Sequence, residues 1–292
     1  MSDVTYYDVP VLKAPVWKWF IPAYFVAGGI AGASSTLGAA ARDLPGLRRR
    51  CRRLSLVALS VGTAALIADL GRPSRFANML RVFRPTSPMS MGSWLLAAYG
   101  PAAGAAAVLP DKIADPAGIV AGIAGLPLTG YTGVLTAATA VPAWQEAGRS
   151  LPVLFTASGI AGAASLLALG DHNDQEAAVL RRFGIAGKVG ELAASAALER
   201  EVGAVPAVAR PYKEGRSALL WRLAHGCTTI SLLLSLPRKR ARRREQAGAL
   251  AGIAGSFLVK VAVMEAGKAS ADDPRATFHL QRARNSDSLD NR

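Results

Sequence analysis

Cysteine and histidine are scarce in this sequence. Two cysteines and three histidines stand among 292 residues. Cys51 lies in an arginine cluster and Cys227 in an apolar stretch, so the chain offers neither a disulfide framework nor a cysteine-rich iron–sulfur or zinc site. We therefore predict no metal site in this chain.

Charge is nearly absent from several long stretches of the chain. These stretches are rich in Ala, Leu, Val, Ile and Gly, and each has roughly the 20 residues that a helix needs to cross the hydrocarbon core of a bilayer. In that core only helices and closed barrels satisfy the backbone hydrogen bonds, and the alternation typical of barrel strands is missing. The sequence predicts an all-α integral membrane bundle and excludes a soluble enzyme.

We predict eight transmembrane helices, arranged as two four-helix bundles. Spans six to eight carry ionisable residues, which are costly in lipid and are expected to face the bundle interior or an interface. The predicted spans cover residues 17–41, 54–70, 91–109, 116–141, 151–169, 177–198, 218–236 and 248–266. The predicted regions are an outer N-terminal segment, the first bundle, the second bundle and a charged tail, at residues 1–16, 17–145, 146–267 and 268–292.

The net charge of +14 would suit a nucleic-acid-binding protein, but the distribution of the basic residues excludes that function. They concentrate between apolar stretches, chiefly at residues 48–53 and 238–244, as in cytoplasmic loops that contact anionic lipid. Eight spans place both clusters on one side, so both termini are expected outside the cytoplasm.

The polar, acidic N-terminal stretch gives no sign of a cleavable signal peptide. Trp17, Trp19 and Tyr24 are expected in an interfacial aromatic belt.

Short motifs at the ends of the first four spans resemble those of the NrfD/PsrC family, the integral-membrane quinone-binding subunits of polysulfide-reductase-type complexes. The resemblance covers most of the chain and is densest in the first four spans. A Tyr-Tyr-Asp motif followed by Pro-Val-Trp before span one also fits. The other matching motifs are Asp-Leu-Gly-Arg-Pro-Ser-Arg-Phe at 69–76, Ser-Pro-Met-Ser-Met-Gly-Ser-Trp at 87–94, Tyr-Thr-Gly-Val-Leu at 131–135 and Val-Pro-Ala-Trp at 141–144.

The resemblance implies a quinone-binding membrane anchor of a respiratory oxidoreductase in the cell membrane, with menaquinone as the expected quinone. The chain would carry no haem or iron–sulfur cluster, exchange electrons with a ferredoxin-like iron–sulfur subunit, and depend on a molybdopterin-type catalytic subunit for the terminal reaction. The residues also argue against haem. Bis-histidine ligation needs paired intramembrane histidines, and only His225 lies within a predicted span.

Four residues are predicted to form the quinone site near the outer surface of the first bundle. Tyr131 has a phenol that can donate to or accept from a quinone carbonyl within an apolar helix. Asp69 is an acid at a membrane boundary, followed by Arg72 and Arg75, which can hold it ionised or take part in a proton relay. The alternatives are a packing tyrosine and a structural ion pair, while Gly71 and Pro73 are expected only to shape the turn.

Lys188 and Glu191 form a second candidate, a proton path. They are three residues apart, so they share a helix face and can neutralise each other. We favour a structural salt bridge over the proton path, and His225 is expected to be a packing residue.

Two other functions remain open for the whole chain. Intramembrane charges suit a secondary transporter or ion channel, although the sequence shows no convincing inverted repeat or paired broken helices. A purely structural membrane anchor is the third possibility.

Overall fold

The computed structural model of the chain describes residues 12–278, except residues 73 and 238–240. The N-terminal Tyr-Tyr-Asp motif, Pro73, part of the second arginine cluster and much of the predicted tail lie outside this range. Every regular element in the described part is α-helical. The helices are α1 (Phe20–Ala40), α2 (Pro45–Leu70), α3 (Ser74–Asn78), α4 (Pro88–Val108), α5 (Asp111–Ala137), α6 (Pro142–Glu146), α7 (Ser150–Ala168), α8 (Asp174–Gly203), α9 (Pro206–Lys213), α10 (Gly215–Ser235) and α11 (Arg242–Asp272).

Eight of these helices are long, from 19 to 31 residues, and they coincide with the eight predicted spans. Five of the eight, α1, α2, α5, α7 and α11, are both long and apolar enough to cross a membrane. The other three, α4, α8 and α10, are as long but do not reach the same combination of high hydropathy and low charge. The predicted membrane helical bundle is confirmed.

The first arginine cluster belongs to helix α2 and not to a loop. Helix α2 begins with Pro45 in its first turn, nine residues before the predicted span. A proline there is tolerated because the first turn needs no backbone donor. Leu47 and Cys51 are buried within this extension. At its other end α2 stops at Gly71, whose φ of 70° favours glycine, in agreement with its predicted role in the turn.

The helices of each predicted bundle pack on one another, and the two groups share an interface. Helix α1 packs against α2 and α5, and α4 packs against α5. Helix α7 packs against α8 and α11, and α10 against α11. Helices α1 and α5 also pack on α7. The approach of α1 to α5 depends on two glycines: an added β-carbon at Gly32 would overlap the carbonyl oxygen of Gly125.

The alternating direction of the long helices places the short helices α3, α6 and α9 at one end of the molecule. We call this end the tryptophan face, because Trp17 stacks on Trp144 there, with ring centroids 5.2 Å apart. The Trp144 indole also donates to the Val263 carbonyl at 2.7 Å, which ties α6 to α11. Trp19 is exposed, Trp17 is partly buried against the core, and Tyr24 is buried, so the predicted aromatic belt is wrong for Tyr24.

The opposite end, which we call the arginine face, is joined by ion pairs around residues 48–53. Arg48 and Arg52 both bind Asp115 of α5, at 3.3 and 2.8 Å. Arg50 binds Glu176 of α8 at 3.0 Å. Three of the five arginines expected at anionic lipid therefore have carboxylate partners within the chain. Arg48 and Arg52 join two helices of the first bundle, and Arg50 connects the first bundle to the second.

Candidate functional site

A cavity of about 440 Å³ lies within the first bundle, beside the tryptophan face. Helices α1, α2, α4 and α5 all contribute to its walls, and most of the lining is apolar. The lining residues are Trp17, Ile21, Tyr24, Phe25, Leu66, Asp69, Leu70, Arg75, Asn78, Met79, Leu80, Met89, Gly92, Ser93, Leu96, Tyr131 and Leu135. Three of the four residues predicted for the quinone site, Asp69, Arg75 and Tyr131, thus meet around one space.

Tyr131 lies near the C-terminal end of α5, and its side chain extends to α4. Its hydroxyl donates to the Pro88 carbonyl at 3.0 Å, where α4 begins. Gly92, one turn further along α4, makes room for the ring, because a β-carbon there would overlap the phenol. The phenol is therefore held at the cavity wall by one hydrogen bond and one glycine.

Asp69 and Arg75 approach the cavity from the two sides of the Gly71 turn. Asp69 is half-buried in the last turn of α2, and within the described residues its carboxylate has no ion-pair partner. Arg75, in α3, donates to the Leu70 carbonyl at 3.1 Å. Arg72 is exposed and does not line the cavity. The structural ion pair considered for Asp69 is therefore not formed, and Arg72 is separated from the other three.

This arrangement provides the chemistry of a site for a flat, apolar molecule with polar carbonyls. The walls are apolar, and the polar groups are a phenol, a carboxylate and a guanidinium. A few convergent polar groups in a mostly apolar pocket are typical of small-molecule sites. The phenol can donate a hydrogen bond and the carboxylate can carry a proton.

Sequence reasoning missed the contribution of α1 to this cavity. Trp17, Ile21, Tyr24 and Phe25 are spaced at i, i+4, i+7 and i+8, which is the pattern of one helix face. That spacing could have indicated an inward orientation. The sequence analysis instead predicts Trp17 and Tyr24 at the lipid interface, because aromatic residues are common there.

The second candidate, Lys188 with Glu191, has a different geometry from the one predicted. Both side chains are buried, but they form no ion pair within 4 Å. Lys188 donates to Ser235 Oγ at 2.7 Å, and Glu191 accepts from Thr228 Oγ1 at 2.5 Å. The favoured salt bridge is therefore wrong, because each group instead has a hydrogen-bond partner on α10.

Two other ionisable residues of the second bundle, His225 and Glu265, contact neighbouring side chains. His225 packs edge-on against Trp221, with ring centroids 4.6 Å apart. Glu265 pairs with Lys268 at 3.1 Å. Among the described residues, no group of three or more His, Cys, Asp or Glu side chains could hold a metal ion.

The sequence matches a protein-family model. The sequence model of a family described as polysulfide reductase matches residues 3–272. The matched range includes every helix given above and all the motifs at the ends of the first four spans. Among curated proteins, none matches the chain.

Proposed function

Because the chain belongs to the polysulfide reductase family of NrfD-type membrane subunits, we propose that it binds quinone in the cavity of the first bundle. In this function it exchanges electrons between the membrane quinone pool and a peripheral iron–sulfur subunit. The family match makes it a multi-pass membrane subunit of a polysulfide-reductase-type complex. Menaquinone is the proposed quinone. The observation that carries the proposal is the convergence of Asp69, Arg75 and Tyr131 on one apolar cavity.

The dimensions and chemistry of the cavity support a quinone. Its volume of about 440 Å³ falls within the range of roughly 300–1,000 Å³ common for small-molecule sites. Quinone reduction takes up two electrons and two protons. To hold one quinone carbonyl, the Tyr131 O–H would turn from the Pro88 carbonyl towards the bound ring. The Asp69 carboxylate would transfer protons at the edge of the membrane. The apolar walls from α1 and α4 would exclude water from the ring.

The position of the cavity supports an iron–sulfur partner on the tryptophan face. The connection between α3 and α4 passes beside the cavity, and Val82 and Phe83 are about 60% exposed there. Exposed apolar side chains next to a site are typical of a protein interface. A ferredoxin-like subunit bound here would keep the electron transfer short, and a molybdopterin-type catalytic subunit would bind beyond it.

The location proposed for the protein is the cell membrane, with the arginine face in the cytoplasm. The arginines at residues 48–53 remain the densest basic cluster among the described residues. Arg49 is exposed, and Arg50 is partly exposed. This distribution favours the cytoplasmic side, because positively charged ends are retained there during insertion.

The substitution Tyr131→Phe tests the quinone site. It removes the hydroxyl and its bond to Pro88 while leaving the ring against Gly92. We expect the complex to assemble and the quinone-linked turnover to fall by about tenfold or more, since a positioned proton donor contributes roughly 10²–10⁴ in rate. Quinone-linked turnover and the quinone content of the purified complex are the measurements.

Tyr99→Phe is the matched control. Tyr99 lies in the same bundle, fully buried, and its hydroxyl bonds Ser35 at 2.9 Å and Ser55 at 2.7 Å, away from the cavity. It should leave turnover close to that of the parent. Equal turnover in the parent and the Tyr131 variant would place quinone elsewhere, and a purified chain without quinone or an iron–sulfur partner would favour transport or a structural anchor.

A further inference from the structure

Apart from Glu176, which pairs with Arg50, three charged side chains are buried in the second bundle, and none of them lines the quinone cavity. Glu191 of α8 and Lys260 of α11 are fully buried, and Lys188 of α8 is 5% exposed. Ionisable side chains within a membrane bundle are expensive, and they often mark ion or proton pathways. Their presence here therefore requires an explanation that the quinone cavity does not provide.

The three groups are not arranged as a closed ion-pair network. Lys260 donates to Ser158 Oγ at 2.9 Å, and its ammonium lies 5.5 Å from the centre of the Phe155 ring. Glu191 accepts from Thr228 through one oxygen, but the second, Oε2, has no hydrogen-bond partner among the described residues. The carboxylate interacts with the charges of both lysines without touching either. A buried oxygen with spare bonding capacity is suited to gaining a proton, because protonation removes the desolvation cost of the buried negative charge.

A second cavity of about 290 Å³ leads towards these groups from the arginine face. His172, Arg181 and Ser235, the last residue of α10, line it near that face, and Lys188 lines it further inside the bundle. Ser235, Ser231 and Thr228 then continue along one side of α10 at helical spacing. The Ser235 hydroxyl donates to the Ser231 carbonyl at 2.7 Å. The Ser231 hydroxyl donates to the Gly248 carbonyl of α11, and the Thr228 hydroxyl donates to Glu191. Polar groups thus extend from the cavity to the buried carboxylate.

Towards the tryptophan face the same bundle is closed by large apolar side chains. Trp144, Trp221, Phe155, Leu154 and Met264 are all buried and belong to one cluster. Close-packed apolar side chains leave no route for water. Access to Glu191 is therefore confined to the arginine face.

We propose that Glu191 is a proton-loading site that exchanges protons with the arginine face through this cavity and the hydroxyls of α10. In the loaded state the carboxylate has gained one proton from water in the cavity, and in the unloaded state its charge is balanced by Lys188 and Lys260. The other ionisable group on α10 near this position is His225, one turn before Thr228, and α7 contributes only the Ser158 hydroxyl. The site does not depend on quinone binding, so it is testable in the chain alone.

Infrared difference spectroscopy at two pH values tests the proposal on the full-length chain in lipid vesicles. The parent should show the carbonyl band of a buried carboxylic acid that grows as the pH falls. Glu191→Gln should remove this band. The matched control is Glu265→Gln, at an ion-paired position in the same bundle, and it should retain the band. A band that survives Glu191→Gln, or a parent without such a band, overturns the proposal.

Thr228→Val keeps the experiment decisive if Glu191→Gln does not fold. It removes only the hydrogen bond to the carboxyl group, so the band should shift in frequency, and an unshifted band would contradict the assignment to Glu191.

The side of access is measured by thiol labelling in a background with Cys51 and Cys227 replaced. Ser235→Cys should react with a membrane-impermeant reagent from the arginine face alone, whereas Ser256→Cys, buried on α11, should not react. Labelling of Ser235→Cys from the tryptophan face, or from neither face, would overturn one-sided access.

Discussion

At the scale of single residues, the candidate quinone site joins groups with different local supports. Tyr131 is held by the Pro88 carbonyl and the space at Gly92. Asp69 has no such support, and its carboxylate faces the cavity without an ion pair among the described residues. A group fixed by hydrogen bonds suits orientation of a ligand, and an unpaired carboxylate suits proton transfer. We therefore assign the positioning of the quinone to Tyr131 and the proton transfer to Asp69.

The substitution Asp69→Asn separates these two roles. An amide keeps the size and polarity of the carboxylate but cannot carry the proton, so quinone should remain bound while turnover falls by roughly 10–100-fold. The dependence of turnover on pH should also lose the contribution of this acid. Quinone content and turnover across a pH series are the measurements.

Asp111→Asn is the control for that series. Asp111 is an exposed acid at the start of α5, at the arginine face, and its variant should match the parent at every pH. A parent-like pH profile for Asp69→Asn would exclude this residue from proton delivery.

At the scale of helices, the site depends on how closely α4 approaches α5. Gly92→Ala adds a β-carbon that would overlap the Tyr131 phenol, so the ring must move or the helices must separate. Overpacking of this kind costs about 1–3 kcal/mol. We expect lower thermal stability and a loss of bound quinone.

Gly100→Ala is the matched change on the same helix. An added β-carbon at Gly100 meets nothing within 4 Å, so this variant should keep its quinone and gain slightly in stability through the better helix propensity of alanine. If both variants retained quinone equally, the contact between Gly92 and Tyr131 would have no part in the site.

The sequence was sufficient to predict which segments form long helices but not which side chains meet inside them. Apolar stretches of about 20 residues follow from the thickness of the bilayer, so the eight segments were predictable. The spacing of Lys188 and Glu191 indicated a shared face, but their partners Ser235 and Thr228 lie about 40 residues away on α10. In the same way, the extension of α2 through its arginines is stabilised by Asp115 and Glu176 on two later helices.

At the scale of the whole molecule, the two ends are built from different interactions. The tryptophan face is closed by stacked rings and by the bond from Trp144 to α11. The arginine face is joined by ion pairs from α2 to α5 and α8. These pairs are only partly exposed, since the side chains of Arg52 and Glu176 are 10% and 5% exposed, and the desolvation of such groups offsets much of their attraction. We therefore assign the main cohesion of the bundles to the buried apolar clusters, and we propose that the arginines act chiefly in orientation.

Labelling of single cysteines from each side of the membrane tests this orientation, after Cys51 and Cys227 have been replaced. Two exposed positions at the arginine face are changed to cysteine, Arg49→Cys and Lys112→Cys. Two exposed positions at the opposite face are changed in the same way, Lys13→Cys and Lys213→Cys. We expect the first pair to react with an impermeant reagent from the cytoplasmic side and the second pair from the outer side, because the arginine cluster should be retained in the cytoplasm. Reversed labelling of both pairs would preserve the eight helices and invert the orientation. A different side for the two members of either pair would contradict the arrangement of eight membrane-crossing helices, since an even number of crossings separates those positions in the chain.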